Sequence, residues 1–201
     1  MIAGTRTMTL AFVICLAGGS LALQVRAQEE APFFPLQVGR SWTYSVEGTD
    51  ERVTARLGER TRIVLWHLTD GGESAVEAWP LAGFPGTETY VVEREGGVVL
   101  AAERSIGFAG EPAIVPVAEF RWEGDSWKFE SAEGCLVGPV ECKRVGVERI
   151  TVPRGEFECL RIEVGTDQTF WLARGEGIVR WSDRRYGTEV ARVLESTSDG
   201  K

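Results

Sequence analysis

Catalysis in this chain would have to be built from one histidine, His67, and a large stock of carboxylates. A serine hydrolase would need His67 beside a serine on a strained elbow, and no serine stands in a Gly-x-Ser-x-Gly setting. His67 is out of phase with Trp66 and Leu68, the position of a strand residue directed to solvent. One histidine and widely spaced cysteines give neither Cys-x-x-Cys nor His-x-x-x-His, so no metal centre is expected. Glu156, Glu158 and Glu163 read as solvated charges paired with Arg154 and Arg161, not as a glycosidase couple. Gly175-Glu176-Gly177 lacks the third glycine and the following helix of a dinucleotide fingerprint. The residues therefore point away from an enzyme and call for no cofactor.

Tryptophan is the informative excess. All seven (Trp42, Trp66, Trp79, Trp122, Trp127, Trp171, Trp181) lie beyond residue 41. Such rings fill a core, line a ligand cavity or form a sugar-stacking platform. The reading carried forward is an apolar pocket lined by Trp42, Trp127 and Trp171. Trp42 is in phase with Tyr44 and Val46, Trp127 with Phe129, and Trp171 with the small residues Thr169 and Ala173. The loop Trp79-Pro-Leu-Ala-Gly-Phe-Pro-Gly-Thr87 carries Phe84 near its tip and is the expected lid.

The elements that must position these rings are short and alternating. Ser41–Val46, Leu160–Val164 and Ser126–Glu130 show the period of a half-buried strand, and Thr169–Leu172 is apolar enough to be covered on both faces. Tyr90–Glu95 and Val98–Ala102 flank Gly96-Gly97, a two-residue hairpin signal. A second hairpin is expected around Gly175-Glu176-Gly177. Ser105–Pro116 reads as irregular, because Pro112 and Pro116 remove two ladder donors. No long amphipathic helix is legible. The expectation is an all-β, mainly antiparallel fold, a strongly curved sheet or open β-barrel with few or no helices after the leader.

Residues 1–27 read as that leader, a secretory signal peptide. Arg6 precedes the apolar run Leu10–Leu23, and Val25-Arg26-Ala27 is a small-residue cleavage site before Gln28. Phe12-Val13-Ile14 lack the small residue that a lipoprotein signal places before its cysteine, here Cys15. Residues 28–201 then form one β-rich domain with flexible ends at 28–32 and 196–201, located in the periplasm or outside the cell. No later run is apolar and long enough for a membrane span. Net charge is −8, and the leader removes two arginines and no acid. So acidic a surface argues against nucleic acid as a partner.

Export places Cys135, Cys142 and Cys159 where disulfides persist. A return at Gly138-Pro139 would set Cys135 opposite Cys142, and a bridge there would contribute roughly 2.5 kcal/mol. Cys159 is then odd. It reads as a buried structural thiol, an alternative bridge partner or a reactive thiol.

Three stretches, FFPLQVGRSWTY, VPRGEFECLRIEV and FWLARGEGIVRW, together resemble a pattern of uncharacterised secreted bacterial β-rich proteins. Its form is PL-x-VG-x-x-W-x-Y, VPAG-x-F-x-C and W-x-A-x-G-x-G-x-V, with Arg154 here in place of alanine. The resemblance extends, at the level of fold, to the open β-barrels of periplasmic lipoprotein carriers, and it implies a curved sheet able to hold acyl chains. The expected function is a binding or carrier module for a lipid or other apolar ligand. The alternative is a carbohydrate-binding or structural envelope module without a small-molecule ligand.

Overall fold

The computed structural model describes residues 31–68, 70–84, 88–106, 111–133, 136–184 and 188–200. The described residues form strands and turns and contain no helix. In chain order the strands are β1 Ser41–Val46, β2 Arg52–Leu57, β3 Thr61–Trp66, β4 Glu73–Ala82, β5 Thr89–Arg94, β6 Gly97–Ile106 and β7 Glu111–Arg121. They continue as β8 Ser126–Glu133, β9 Leu136–Val152, β10 Gly155–Val164, β11 Gln168–Ala173, β12 Gly177–Asp183 and β13 Val190–Ser198. The all-β, mainly antiparallel expectation holds. The one parallel pairing among the described strands is Leu65 with Ile114.

The sheet runs β3-β7-β6-β5-β4-β2-β1-β13-β12-β11-β10-β9-β8, and β3 also pairs with β4. That second pairing closes β3 to β7 into a five-strand ring, while the other strands continue as a curved wall. Strands β4 to β7 are therefore shared by two cores. Because alternate residues face opposite sides, Val91, Leu100, Ala118 and Phe120 join Tyr44, Ile162, Phe170, Leu172, Trp181 and Leu194 in the large core. Their neighbours Ala78, Val92 and Val99 pack with Ile63 inside the small ring. Phe120 meets Phe170 edge to face, with centroids 4.8 Å apart, tying the two walls together.

Turn chemistry sets the hairpins. The β5–β6 hairpin forms one residue earlier than the doublet suggests: Arg94 pairs with Gly97, leaving Glu95-Gly96 as the loop, with Gly96 at φ +71°. Gly97 is needed for a different reason, since a Cβ there would stand 2.1 Å from the Phe120 carbonyl oxygen. The β11–β12 hairpin around Gly175-Glu176-Gly177 forms where expected.

Three expectations need correction. The proline-bearing stretch is not irregular, because Pro112 and Pro116 both lie in β7. Pro116 sits beside the bulge at Leu100/Ala101, where the β6–β7 ladder is already interrupted. Ser196, Thr197 and Ser198, expected in a flexible end, pair with β1, and the next residue, Asp199, bonds Arg40 at 3.2 Å. The return at Gly138-Pro139 does not occur: β9 runs unbroken from Leu136, pairing Gly138 with Ser131 and Pro139 with Glu130. Cys142 therefore stands opposite Trp127, well along the strand, as a free buried thiol. Cys135, its expected partner in a disulfide, lies outside the described residues. Extended geometry over seven residues separates two ends by roughly 20 Å, so a loop-closing bridge is not what this hairpin is built for.

Candidate functional site

The concave side of the curved sheet holds a cavity of about 340 Å³. Its walls are Leu100 on β6, Val117 and Ala118 on β7, Val140 on β9, Val164 on β10 and Phe170 on β11. Thr89, Arg104, Ser131 and the β10–β11 turn, Gly165-Thr166-Asp167 with Gln168, add polar groups to its lining. The turn exists because Gly165 takes φ +62° and its N–H donates to Glu141 O at 2.8 Å. The lining is mixed, seven apolar residues against seven that are polar or glycine, with Arg104 and Asp167 among them, and this volume is near the lower end of the usual range for a small-molecule site.

Of the loop expected over Trp79–Thr87, Trp79 to Ala82 lie in β4 and residues 85–87 lie outside the described residues; Phe84 lines the cavity. Its ring stacks on Trp181 at 5.1 Å and 26°, and Trp181 in turn meets Tyr44 edge-on at 4.6 Å. Tyr44 is buried and donates its hydroxyl to Ile178 O at 2.9 Å. Burial pushes that phenol well above the usual tyrosine range, with Arg40 opposing and Glu176 adding to the rise. On its other flank Phe84 lines a second, more open groove of about 740 Å³ with Val53, Leu81, Thr89, Tyr90 and Arg192. Phe84 and Thr89 are common to both spaces.

The three expected tryptophans are buried but stand apart from one another, and none lines either space. Trp42 lies toward the β11–β12 turn, where its indole N–H donates to Glu176 O at 2.5 Å. Trp171 alternates with Phe170 and points to the other face of β11. There Arg161 and Arg180 stack over its ring at 5.6 and 5.1 Å, and Glu148 accepts its indole N–H. Trp127 is 7 % exposed, and Arg121 lies over its ring at 5.9 Å. Period two sorts residues into two faces but does not say which face is the cavity's: on β11 Phe170 lines it and Trp171 lies on the other side. Phe170, Val164 and Leu100 were not singled out as lining residues because they look like any other core residue.

The stretches behind the family resemblance converge at the end of β11 away from the cavity. Arg40 donates to Gly175 O at 2.7 Å and pairs with Glu176 at 3.3 Å, and Arg154 approaches the same carboxylate at 3.8 Å. Phe34 packs on Trp42 at 5.9 Å, and Gly175 N donates to Pro32 O at 2.8 Å. This is a structural clasp: the pattern residues hold the β11–β12 turn against the chain that enters β1.

His67 follows β3 and hydrogen-bonds Ser74 through Nε2 at 2.7 Å. Among the described residues no carboxylate hydrogen-bonds the ring, and no three His, Cys, Asp or Glu side chains converge on a point that could hold a metal ion. The thiols of Cys142 and Cys159 are both pushed up to about 12, chiefly by burial. Four of the seven tryptophans are buried and the other three, Trp66, Trp79 and Trp122, are half-buried.

No family model matches the chain, and no curated protein matches it. Among solved structures, it is similar to a "putative lipoprotein" from Parabacteroides distasonis ATCC 8503, at 13% identity and a TM-score of 0.42. It is also similar to a "putative exported protein with YmcC-like fold" from Bacteroides fragilis NCTC 9343, at 15% identity and a TM-score of 0.41. Each likeness covers 84% of this chain and 99% of the other.

Proposed function

We propose that the protein is an exported binding module that takes an apolar or acyl-bearing ligand into the concavity of its sheet. The observation that carries this reading is the cavity itself. A core that only had to be stable would close over Leu100, Ala118, Val164 and Phe170, because interiors otherwise pack to the density of organic crystals. Here residues of β6, β7, β9, β10 and β11 around Phe170 leave about 340 Å³ between them. Export rests on the leader at residues 1–27. Of the four side chains expected at the site, Phe84 keeps a ligand-contacting role, and Trp42, Trp127 and Trp171 hold the walls.

The test is titration with a dansylated fatty acid, followed by energy transfer from tryptophan. Saturable transfer is expected for the parent protein. Gln168→Trp, which places an indole at the cavity lining on the inner phase of β11, should abolish it while near-ultraviolet circular dichroism stays native. No saturable transfer in the parent, or unchanged transfer in Q168W, would sink the proposal.

A further inference from the structure

The arginines of the barrel are not alike. Arg40, Arg161, Arg180 and Arg192 each bury an Nε that has no hydrogen-bond partner. The first three hold a carboxylate through another nitrogen: Glu176 at 3.3 Å, Glu163 at 2.9 Å and Glu47 at 3.4 Å. Arg192 holds none among the described residues. Its guanidinium instead lies 5.4 Å from the centre of the Trp181 ring. It comes from the inner phase of β13, opposite Trp181 on β12 and Val46 on β1, and it lines the open groove beside Phe84.

We propose that this groove is a headgroup subsite. Arg192 is the ion-pair partner for the anionic head of an amphiphile, and the alkyl chain passes Phe84 onto the apolar side of the cavity, Leu100, Val117, Val164 and Phe170. The inference rests on the binding function proposed above and adds the ligand's chemical class: a single-chain amphiphile with a singly charged head, a carboxylate above all. A guanidinium whose Nε is out of water and unpaired is poorly satisfied, and an arriving oxyanion supplies the missing acceptor in a fork geometry that suits carboxylates. Trp181 holds the planar group from one side. Phe84 forms part of both spaces, so a ligand with its head at Arg192 and its tail on Phe170 must lie along that ring.

The acids of the groove set the charge of the head. Glu51 and Glu88 line it too, both are exposed, and Glu88 already accepts the Tyr90 hydroxyl at 2.8 Å. With one guanidinium to two exposed carboxylates the groove draws in no anion at long range, so the head binds by direct contact with Arg192, and a dianionic phosphate is opposed more strongly than a monoanion.

Competition between dodecanoate and dodecanol for the dansylated probe, at about pH 8 where the acid is ionised, decides the matter. The expected result is dodecanoate binding roughly tenfold or more tightly than dodecanol, the discrimination of a charge-assisted hydrogen bond. Arg192→Gln should remove that preference and leave dodecanol unchanged, and Arg192→Lys should restore part of it. Equal affinity for the two in the parent protein overturns the headgroup subsite alone, as does a preference that survives R192Q with native circular dichroism. Failure of both compounds to compete overturns the binding reading and this inference with it. Arg104 also lines the cavity, so if R192Q does not fold, a parent preference that Arg104→Gln abolishes overturns the subsite, and one that it leaves intact supports it.

Discussion

Replacing Tyr44 by phenylalanine removes one oxygen from the middle of the large core and leaves the ring where it is. The ring keeps its edge-on contact with Trp181 at 4.6 Å, while Ile178 O loses the donor that stood 2.9 Å away. Both residues are 2 % exposed, so water cannot replace that donor. An unsatisfied buried carbonyl costs about 1–2 kcal/mol. For a domain of this size that lowers Tm by roughly 3–6 °C. The same residue predicts a pH dependence. In the unfolded chain Tyr44 titrates at the ordinary value of 10.0, whereas burial keeps the folded phenol protonated well beyond it. Above pH 10 the unfolded chain therefore binds fewer protons than the native one, and stability falls by about 1.4 kcal/mol per pH unit. The phenylalanine of Y44F carries no proton to lose. The deficit of Y44F seen at pH 7 should accordingly shrink by about 0.8 kcal/mol at pH 10.5 and close near pH 11. Urea unfolding of both proteins at matched pH measures this, and other alkaline effects are common to both and cancel in the difference. A deficit of zero at pH 7, or one that is the same at pH 7 and pH 10.5, would refute the buried hydrogen bond.

Gly97→Ala should destabilise by more than about 3 kcal/mol, because its Cβ would meet Phe120 O at 2.1 Å, backbone against backbone. Gly138→Ala, where a Cβ meets nothing within 4 Å, should change little, and denaturant midpoints of the pair test the contrast. Cys142 and Cys159, held near 12 and fully covered, should resist iodoacetamide at about pH 8 in the native protein and react once it is unfolded in urea. Recovery of a Cys135–Cys142 peptide under non-reducing conditions would contradict the continuous course of β9. Those two thiols also deprotonate from pH 9.0 upward when unfolded and only near 12 when folded. Stability should therefore already decline between those values, and Cys159→Ser should soften the decline.

Local rules carried the reading as far as local physics reaches. Alternation across Ser41–Val46 and Leu160–Val164, and glycine turns at Gly96 and Gly175–Gly177, are settled by residues next to one another, so the strands, the hairpins and the all-β class were legible in the chain. The clasp residues Arg40, Trp42, Arg154 and Glu176 were visible as a pattern, although not as a contact. Where local rules were trusted against context they failed. Pro116 entered β7 beside a bulge that had already opened the ladder, Pro112 lies in β7 opposite Ser105, and Gly138-Pro139 stayed extended because Ser131 and Glu130 of β8 pair with them.

By itself, then, the sequence determined the period of strands such as β1 and β10 and the turns at Gly96 and at Gly175–Gly177, because each depends on a few consecutive side chains and their backbone preferences. The tertiary structure alone decided that β3 closes a ring through both β4 and β7, that Phe84 stacks on Trp181 from a distant strand, and that a space remains beside Phe170. It also decided that Arg192, an ordinary cation on a strand in which Ala191 and Val193 are as apolar as its own phase-mates Val190 and Leu194, faces inward without a carboxylate among the described residues. A cavity and an unpaired charge are statements about which distant residues fail to meet. No alternation along one strand encodes that, because the faces it sorts acquire meaning only when another strand is laid against them.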